Sequence, residues 1–317
     1  MKLATDIRIL AGGSLVALLA LGLALPEWLM FLLTMAFAKG LVALGIVGLM
    51  RGGLVAFGQG LYFCLGAYTA GLTAIYLGVT DIFALALLGI VVCALVGAAF
   101  GAVLATYRGI FFAMLTLAIS MVLYGVLSKS MALGSTDGLS LPAPTFLGAE
   151  PDGWRLQFYL YAFTSVATVV AGALMWTYFN SQRGLITLAI KDNELRVEYL
   201  GASVRWTMAN AYVIAAALGG LGGVIAALAI SHTDPEFAFW TTGGEFVFVA
   251  ILAGYLSIPA IFASSIILEL VRSFSTLYFP NTWQLALGVF LLIVIFLLPD
   301  GLGSLVARRF KRTGEAP

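Results

Sequence analysis

The chain has 317 residues, 62% of them hydrophobic and only 10% charged, with a mean hydropathy of +1.06 and a formal net charge of +1. This composition lies far outside that of a soluble globular domain, and the near-zero net charge gives no sign of a nucleic-acid partner. Apolar runs of the roughly 17 to 25 residues that a helix needs to cross a bilayer recur from end to end. They are continuous and rich in Leu, Ala and Gly, whereas a transmembrane β-barrel alternates over short segments. The expected fold is therefore all-α: one polytopic membrane domain over residues 1–317, with about ten transmembrane helices, some broken or re-entrant.

Lys2 and Arg8 precede a first apolar run at about 9–25. It reads as a cleaved signal peptide or as a retained helix; the turn at Pro26-Glu27-Trp28 and the spans that follow at once favour the helix. A second span, about 29–50, ends at Arg51. The third, about 54–79, carries Gln59, and six glycines lie between positions 52 and 71. Glycine in a helix interior costs about 1 kcal/mol against alanine, so that density predicts close packing or a break.

The fourth span, about 82–105, has a Gly97-x-x-x-Gly101 face and is closed by Arg108. The fifth, about 109–128, places Thr116, Ser120 and Tyr124 on one helical face. Residues 129–157 read as a long aqueous loop, followed by a sixth span at about 158–180. The polar stretch 181–205 comes next, holding Arg183, Lys191, Arg196 and Arg205 with Asp192, Glu194 and Glu198.

A seventh span, about 207–230, contains Gly219-Gly220-x-Gly222-Gly223. His232-Thr-Asp-Pro-Glu236 then reads as an outer-face turn, with Trp240 as an interfacial anchor. The eighth apolar run, about 243–256, is too short to cross alone unless the local backbone is irregular. Ser257-Ile258-Pro259 turns the chain into a ninth span reaching about 279; Trp283 to Leu298 makes a tenth, and 303–317 is a basic tail.

Lys and Arg near span ends are retained on the cytoplasmic side. With both termini inside, ten spans place Arg51, Arg108 and 181–205 inside and 129–157 outside. One parity serves every basic cluster.

Within 181–205, Lys191 to Gly201 has the marks of a short surface helix. Asp192 or Asn193 suits the N-cap, Glu194 the positive helix start and Gly201 the left-handed C' position; a second short helix is expected from about Gly184. By composition alone the stretch is either a solvated loop that sets topology or a docking helix for a cytoplasmic partner.

Ser181-Gln-Arg-Gly184, Ala189-Ile-Lys-Asp-Asn-Glu194 and Glu198-Tyr-Leu-Gly201 resemble the cytoplasmic loop of permease subunits in ABC importers for branched-chain amino acids, the Liv type. Gly58-Gln-Gly60 through Gly66-Ala-Tyr68, the stretch from Arg108 to Ala118, Gly134-Ser-Thr-Asp-Gly-Leu139 and Leu298-Pro-Asp-Gly-Leu302 resemble the same family in the same order. One stretch departs from it: the family's Gly-Gly-x-Gly turn with a following Gly-Pro is replaced by Ala253-Gly-Tyr-Leu-Ser-Ile-Pro259.

The resemblance implies a bacterial inner-membrane subunit without catalysis or cofactor of its own. It implies two ATP-binding cytoplasmic subunits, a second related permease and a periplasmic solute-binding protein as partners. It also makes Arg183, Gly184, Lys191, Asp192, Asn193, Glu194, Glu198 and Gly201 the expected coupling residues. Independently, the chain contains no Gly-x-x-x-x-Gly-Lys-Ser/Thr phosphate loop.

Interrupted helices commonly form transport sites, which singles out 52–71 and 243–259. The side chains expected along a path are Gln59, Tyr62, Tyr68, Thr69, Thr116, Ser120 and Tyr124, although small residues and hydroxyls also serve plain helix packing. Glu245 and Glu269 are intramembrane carboxylates and so candidates by type; Glu269 is expected to pair with Arg272 one turn on, and Glu245 to be interfacial. Cys64 and Cys93, both in apolar spans, read as reduced core residues, with a disulfide between them as the alternative, and His232 with the few carboxylates forms no metal-ligand cluster. The same architecture moving urea or short amides is the alternative cargo. A secondary transporter or an intramembrane enzyme would need a mid-span coupling group or a nucleophile and base at one depth.

Overall fold

The computed structural model describes residues 2–297 and 301–304, with side chains from residue 12. Twelve α-helices lie in the described part: α1 Lys2–Ala24, α2 Glu27–Met50, α3 Gln59–Leu77, α4 Ile82–Leu104, α5 Gly109–Lys129, α6 Trp154–Phe179, α7 Gln182–Asp192, α8 Glu194–Tyr199, α9 Val204–Ile230, α10 Trp240–Ala253, α11 Ile258–Tyr278 and α12 Trp283–Leu297. Seven are long and apolar enough to cross a membrane, and α1, α10 and α12 contribute shorter apolar stretches. The basic tail lies mostly outside the described residues.

Helix α9 is the axis of the bundle, packed by α2, α3 and α4. Its glycines explain how. Gly66 of α3 meets Gly220 of α9 so closely that a side chain at 66 would overlap the Gly220 carbonyl, while Gly97 and Gly101 face Ala216 and Tyr212. Between apolar helices in lipid, association comes from such backbone approach rather than from hydrophobic exclusion. Helix α2 is the most enclosed span, 89% buried in its most apolar window, whereas α5 is 22% and α11 28% buried there.

The α2–α3 connection is not a surface loop. After a turn at Arg51–Gly53, residues 54–58 are irregular, and Leu54 and Ala56 are buried. A second irregular stretch, 231–239, follows α9. Its residues His232–Thr233 (β2) pair antiparallel with Leu139–Ser140 (β1), and Pro235–Ala238 form a 3-10 turn with Pro235 and Ala238 buried. The 14-residue α10 spans about 21 Å, short of the roughly 30 Å hydrocarbon layer. Stretch 231–239 supplies the rest inside protein, where non-helical backbone is tolerated. The expected outer turn is met at His232–Thr233, which pair with the 129–157 loop, and the chain then runs inward through Pro235 and Ala238 while Glu236 stays exposed.

The 129–157 loop is structured. Asp81 caps α4 by accepting from Phe83 and Ala84 N–H at 3.0 and 3.3 Å, and its other carboxylate oxygen takes Leu147 N–H at 2.7 Å. With the β1–β2 pair, this clamps the loop to the α3–α4 and α9–α10 connections at one end of the bundle.

Candidate functional site

At the opposite end, α6 stops at Phe179 and the polar stretch begins. Ser181 Oγ accepts from Gly184 N–H at 3.4 Å and opens α7. Gly184, Thr187 and Ile190 turn inward. Asn193 then leaves helical geometry at φ −162° and ψ 104°, and its Oδ1 accepts from Arg196 N–H at 2.9 Å. Asn193 is therefore the N-cap of α8; Asp192 is the last residue of α7.

Helix α8 closes as the sequence suggests. Gly201 takes φ +83°, its N–H reaches Glu198 O at 2.9 Å, and Ala202 N–H reaches Val197 O at 3.2 Å. This bond pair is the Schellman closure, which satisfies two carbonyls at the helix end.

Two guanidinium groups fasten the loop to its neighbours. Arg108, on the α4–α5 turn, donates from Nε to Glu194 Oε1 at 2.6 Å. Arg205 donates from Nε and Nη2 to Ala102 O at 3.3 and 2.8 Å. Val197 is the one buried residue of α8, so Leu195 (67% exposed), Tyr199 (90%) and the adjacent Leu200 (81%) face outward. Arg183, Lys191, Asp192, Asn193 and Glu198 are exposed beside them, Gly184 is buried and Glu194 is half-buried in its ion pair. The apolar trio carries a signal that the charge-based reading passed over: apolar residues at i, i+4 and i+5 inside a polar run.

The two interrupted stretches meet in the bundle interior. A side chain at Gly243 would overlap the Phe57 carbonyl, and one at Gly60 would come within 2.9 Å of the Phe237 carbonyl. The N-terminal ends of α3 and α10 are thus neighbours. Ser120 donates to Ala238 O at 2.7 Å, Tyr124 packs its ring 4.9 Å from that of Phe239, and the Thr116 carbonyl fills the space that a side chain at Gly58 would need.

The α5 side chains therefore face the junction in different ways: Thr116 donates to Ala113 O at 2.8 Å, within its own helix. Tyr62 packs edge-on to Tyr212, Tyr68 sits in a cluster with Cys64 and Leu127, and Thr69 donates to Leu65 O at 2.6 Å. Like the buried hydroxyls of Tyr62 and Tyr68, the amide of Gln59 has no hydrogen-bond partner at either atom; Gln59 is 0% exposed and begins α3 beside Gly219. Buried amides of this kind are rare enough to need a reason. Cys64 and Cys93 are free and buried.

The carboxylates depart from expectation. Glu269 pairs with Lys39 of α2, Nζ to Oε2 at 2.7 Å; Arg272 reaches Glu245 instead, at 3.3 Å, and Lys39 lies 3.4 Å from the same Glu245 oxygen. Lys39 is 4% and Glu245 7% exposed, so Glu245 is not interfacial. Two cations and two carboxylates from α2, α10 and α11 neutralise one another, the arrangement that makes intramembrane charge tolerable. Lys39 was recognisable as the lone charge of its span, but its partners are 206 and 230 residues away.

A multi-helix bundle with interrupted helices meeting inside it, and a capped helical loop at one end, is the architecture of a polytopic membrane protein, and interrupted helices of this kind are common in transporters. Residues 28–298 match the sequence family described as the permease component of branched-chain amino-acid transport systems. The chain belongs to that family. It is 26% identical over 321 aligned positions to the high-affinity branched-chain amino acid transport system permease protein LivM of Escherichia coli, covering 91% of this chain and 74% of LivM. The Salmonella typhimurium LivM is 25% identical, covering 86% and 68%. Among solved structures, the PsaBC complex of Streptococcus pneumoniae with a Fab matches at a TM-score of 0.42 and 16% identity, over 94% of this chain and 99% of that one, a likeness too loose to carry an argument.

Proposed function

We propose that the chain is the membrane-spanning permease of an ATP-driven importer for branched-chain or related amino acids in a bacterial inner membrane. In this reading two ATP-binding subunits engage the α7–α8 end from the cytoplasm, where both termini also lie. A second related permease completes the path, and a periplasmic solute-binding protein docks at the end carrying the 129–157 loop.

The observation that carries the reading is α8: a capped helix, pinned by Arg108 and Arg205, that holds Leu195, Tyr199 and Leu200 out to solvent. Exposed apolar side chains on a rigid mount suit a partner surface, since aromatic anchors dominate interface energetics. In this reading the solute path runs past the junction of the α3 and α10 N-terminal ends, with Gln59 as its buried amide.

Reconstitution tests this directly. Proteoliposomes holding the chain, its partner permease, the binding protein and the ATP-binding subunits should accumulate a branched-chain amino acid only with ATP. Uptake by the chain alone would remove the importer reading.

A further inference from the structure

We infer that a cleft at the α7–α8 end of the bundle binds the phosphate group of an anionic phospholipid. The cleft, of about 340 Å³, opens between the ends of α6 and α11 with the C-terminal end of α2 behind it, and among the described residues its lining contains Arg51, Trp176, Asn180, Tyr255 and Ser257 but no carboxylate.

Arg51 is the group that calls for a ligand. Its guanidinium lies over the Phe179 ring at 4.3 Å, its Nε is buried without a hydrogen-bond partner, and it takes part in none of the ion pairs among the described residues. Burial lowers its pKa from the ordinary value, yet an arginine keeps its proton in proteins. A cation held partly out of water needs an anion.

The surroundings supply more positive potential. Helix α11 begins at the cleft, with Ser257 at its N-cap position making no side-chain cap bond, so the positive end of that helix faces the same space. Lys191 places its Nζ 3.9 Å from the ring centroid of Tyr255.

The lining also points to the source of the phosphate. Val47, Leu256 and Ile261 contribute to the apolar part of the cleft, and the most apolar windows of α6 and α11 are only 44% and 28% buried, which leaves part of each helix to face lipid. Polar groups at a helix end above an apolar wall match a lipid headgroup above its first carbons, and basic pockets between membrane helices bind such headgroups. Tyr255 and Ser257 lie within the 253–259 turn, where the sequence departs from the Liv-type pattern. The inference depends only on membrane embedding and not on cargo or ATP-binding partners.

Native mass spectrometry and thermal unfolding of the full-length protein in detergent test it, with phosphatidylglycerol, phosphatidylcholine or inorganic phosphate added. Wild type should retain phosphatidylglycerol about tenfold better than Arg51→Gln, the loss expected for one charge-assisted contact, and should be stabilised by it over phosphatidylcholine. Ser257→Asp keeps the arginine but gives it a carboxylate partner at a position where Asp suits the helix start; it should lose the preference equally, and it carries the test if Arg51→Gln fails to fold. Equal retention of phosphatidylglycerol by wild type and Ser257→Asp, or no preference over phosphatidylcholine, overturns the site. Stabilisation by inorganic phosphate alone overturns the lipid assignment in favour of a soluble phosphate.

Discussion

Arg108 and Glu194, 86 positions apart in sequence, share a 2.6 Å ion pair that ties the α4–α5 turn to the first residue of α8. The pair is partly exposed, so its direct worth is small, about 0.2–1 kcal/mol. Its effect lies in aim, because it fixes where α8 projects. Glu194→Arg should lower ATP-driven uptake about two- to fivefold without changing membrane insertion, and the reversed pair Arg108→Glu/Glu194→Arg should recover most of it. Uptake in proteoliposomes measures both; no recovery in the double variant would mean the pair does not position the loop.

Tyr199 and Leu195 should behave as interface residues and not as fold residues. Surface substitutions usually change stability by less than about 0.5 kcal/mol, whereas an interface anchor is worth about 2 kcal/mol or more. Tyr199→Ala with Leu195→Asp should leave the thermal midpoint of the isolated chain in place and weaken co-purification of the ATP-binding subunits. Undiminished co-purification would remove α8 as the docking element.

Lys39 is expected to be required for stability. Removing one member of a buried ion network leaves an uncompensated charge, at about 3–5 kcal/mol. Lys39→Met should therefore express poorly or melt early. Lys39→Met/Glu269→Gln, which removes one charge of each sign, should restore much of the loss in a thermal-shift assay.

Gln59 offers a separation of stability from transport. Replacing an unpaired buried amide by an apolar group of similar shape is neutral or stabilising, so Gln59→Leu should melt no earlier than wild type. If the amide contacts solute, uptake should nevertheless fall about tenfold, the equivalent of about 1.4 kcal/mol. Full uptake in Gln59→Leu would exclude Gln59 from the path.

Gly66 and Gly125 make a paired control. Gly66→Val overlaps the Gly220 carbonyl and should prevent α3 from seating on α9, costing more than the about 1–3 kcal/mol typical of overpacking. Gly125→Ala meets nothing within 4 Å and should gain up to about 1 kcal/mol of helix propensity. Thermal melts of both variants check the contrast.

The local signals were legible wherever the physics is local. Asn193 and Gly201 bracket α8 because capping depends only on residues a turn apart, and the short α10 was visible because length alone decides whether a helix can span. Long-range partners were not legible. Arg272 lies one turn from Glu269, and on an isolated helix the two would pair; in the bundle Lys39 comes closer to Glu269, and Arg272 turns to Glu245. The hydroxyls of Thr116 and Ser120 share a helical face as expected, but only the packing of α5 on stretch 235–239 commits Ser120 to a backbone carbonyl.

Hydropathy and local pattern suffice to establish an all-α membrane protein, where its apolar runs start and stop, which stretches are interrupted, and that the 181–205 segment carries a capped short helix. Those follow from hydropathy, period and capping, which act over a few residues. It took the packed bundle to show that the 57–60 and 237–243 stretches meet inside it, that Lys39 joins Glu245 and Glu269, and that Arg51 lies in a cleft with no carboxylate among the described residues. Each of these depends on how distant segments of the chain pack together, and no local pattern encodes that distance.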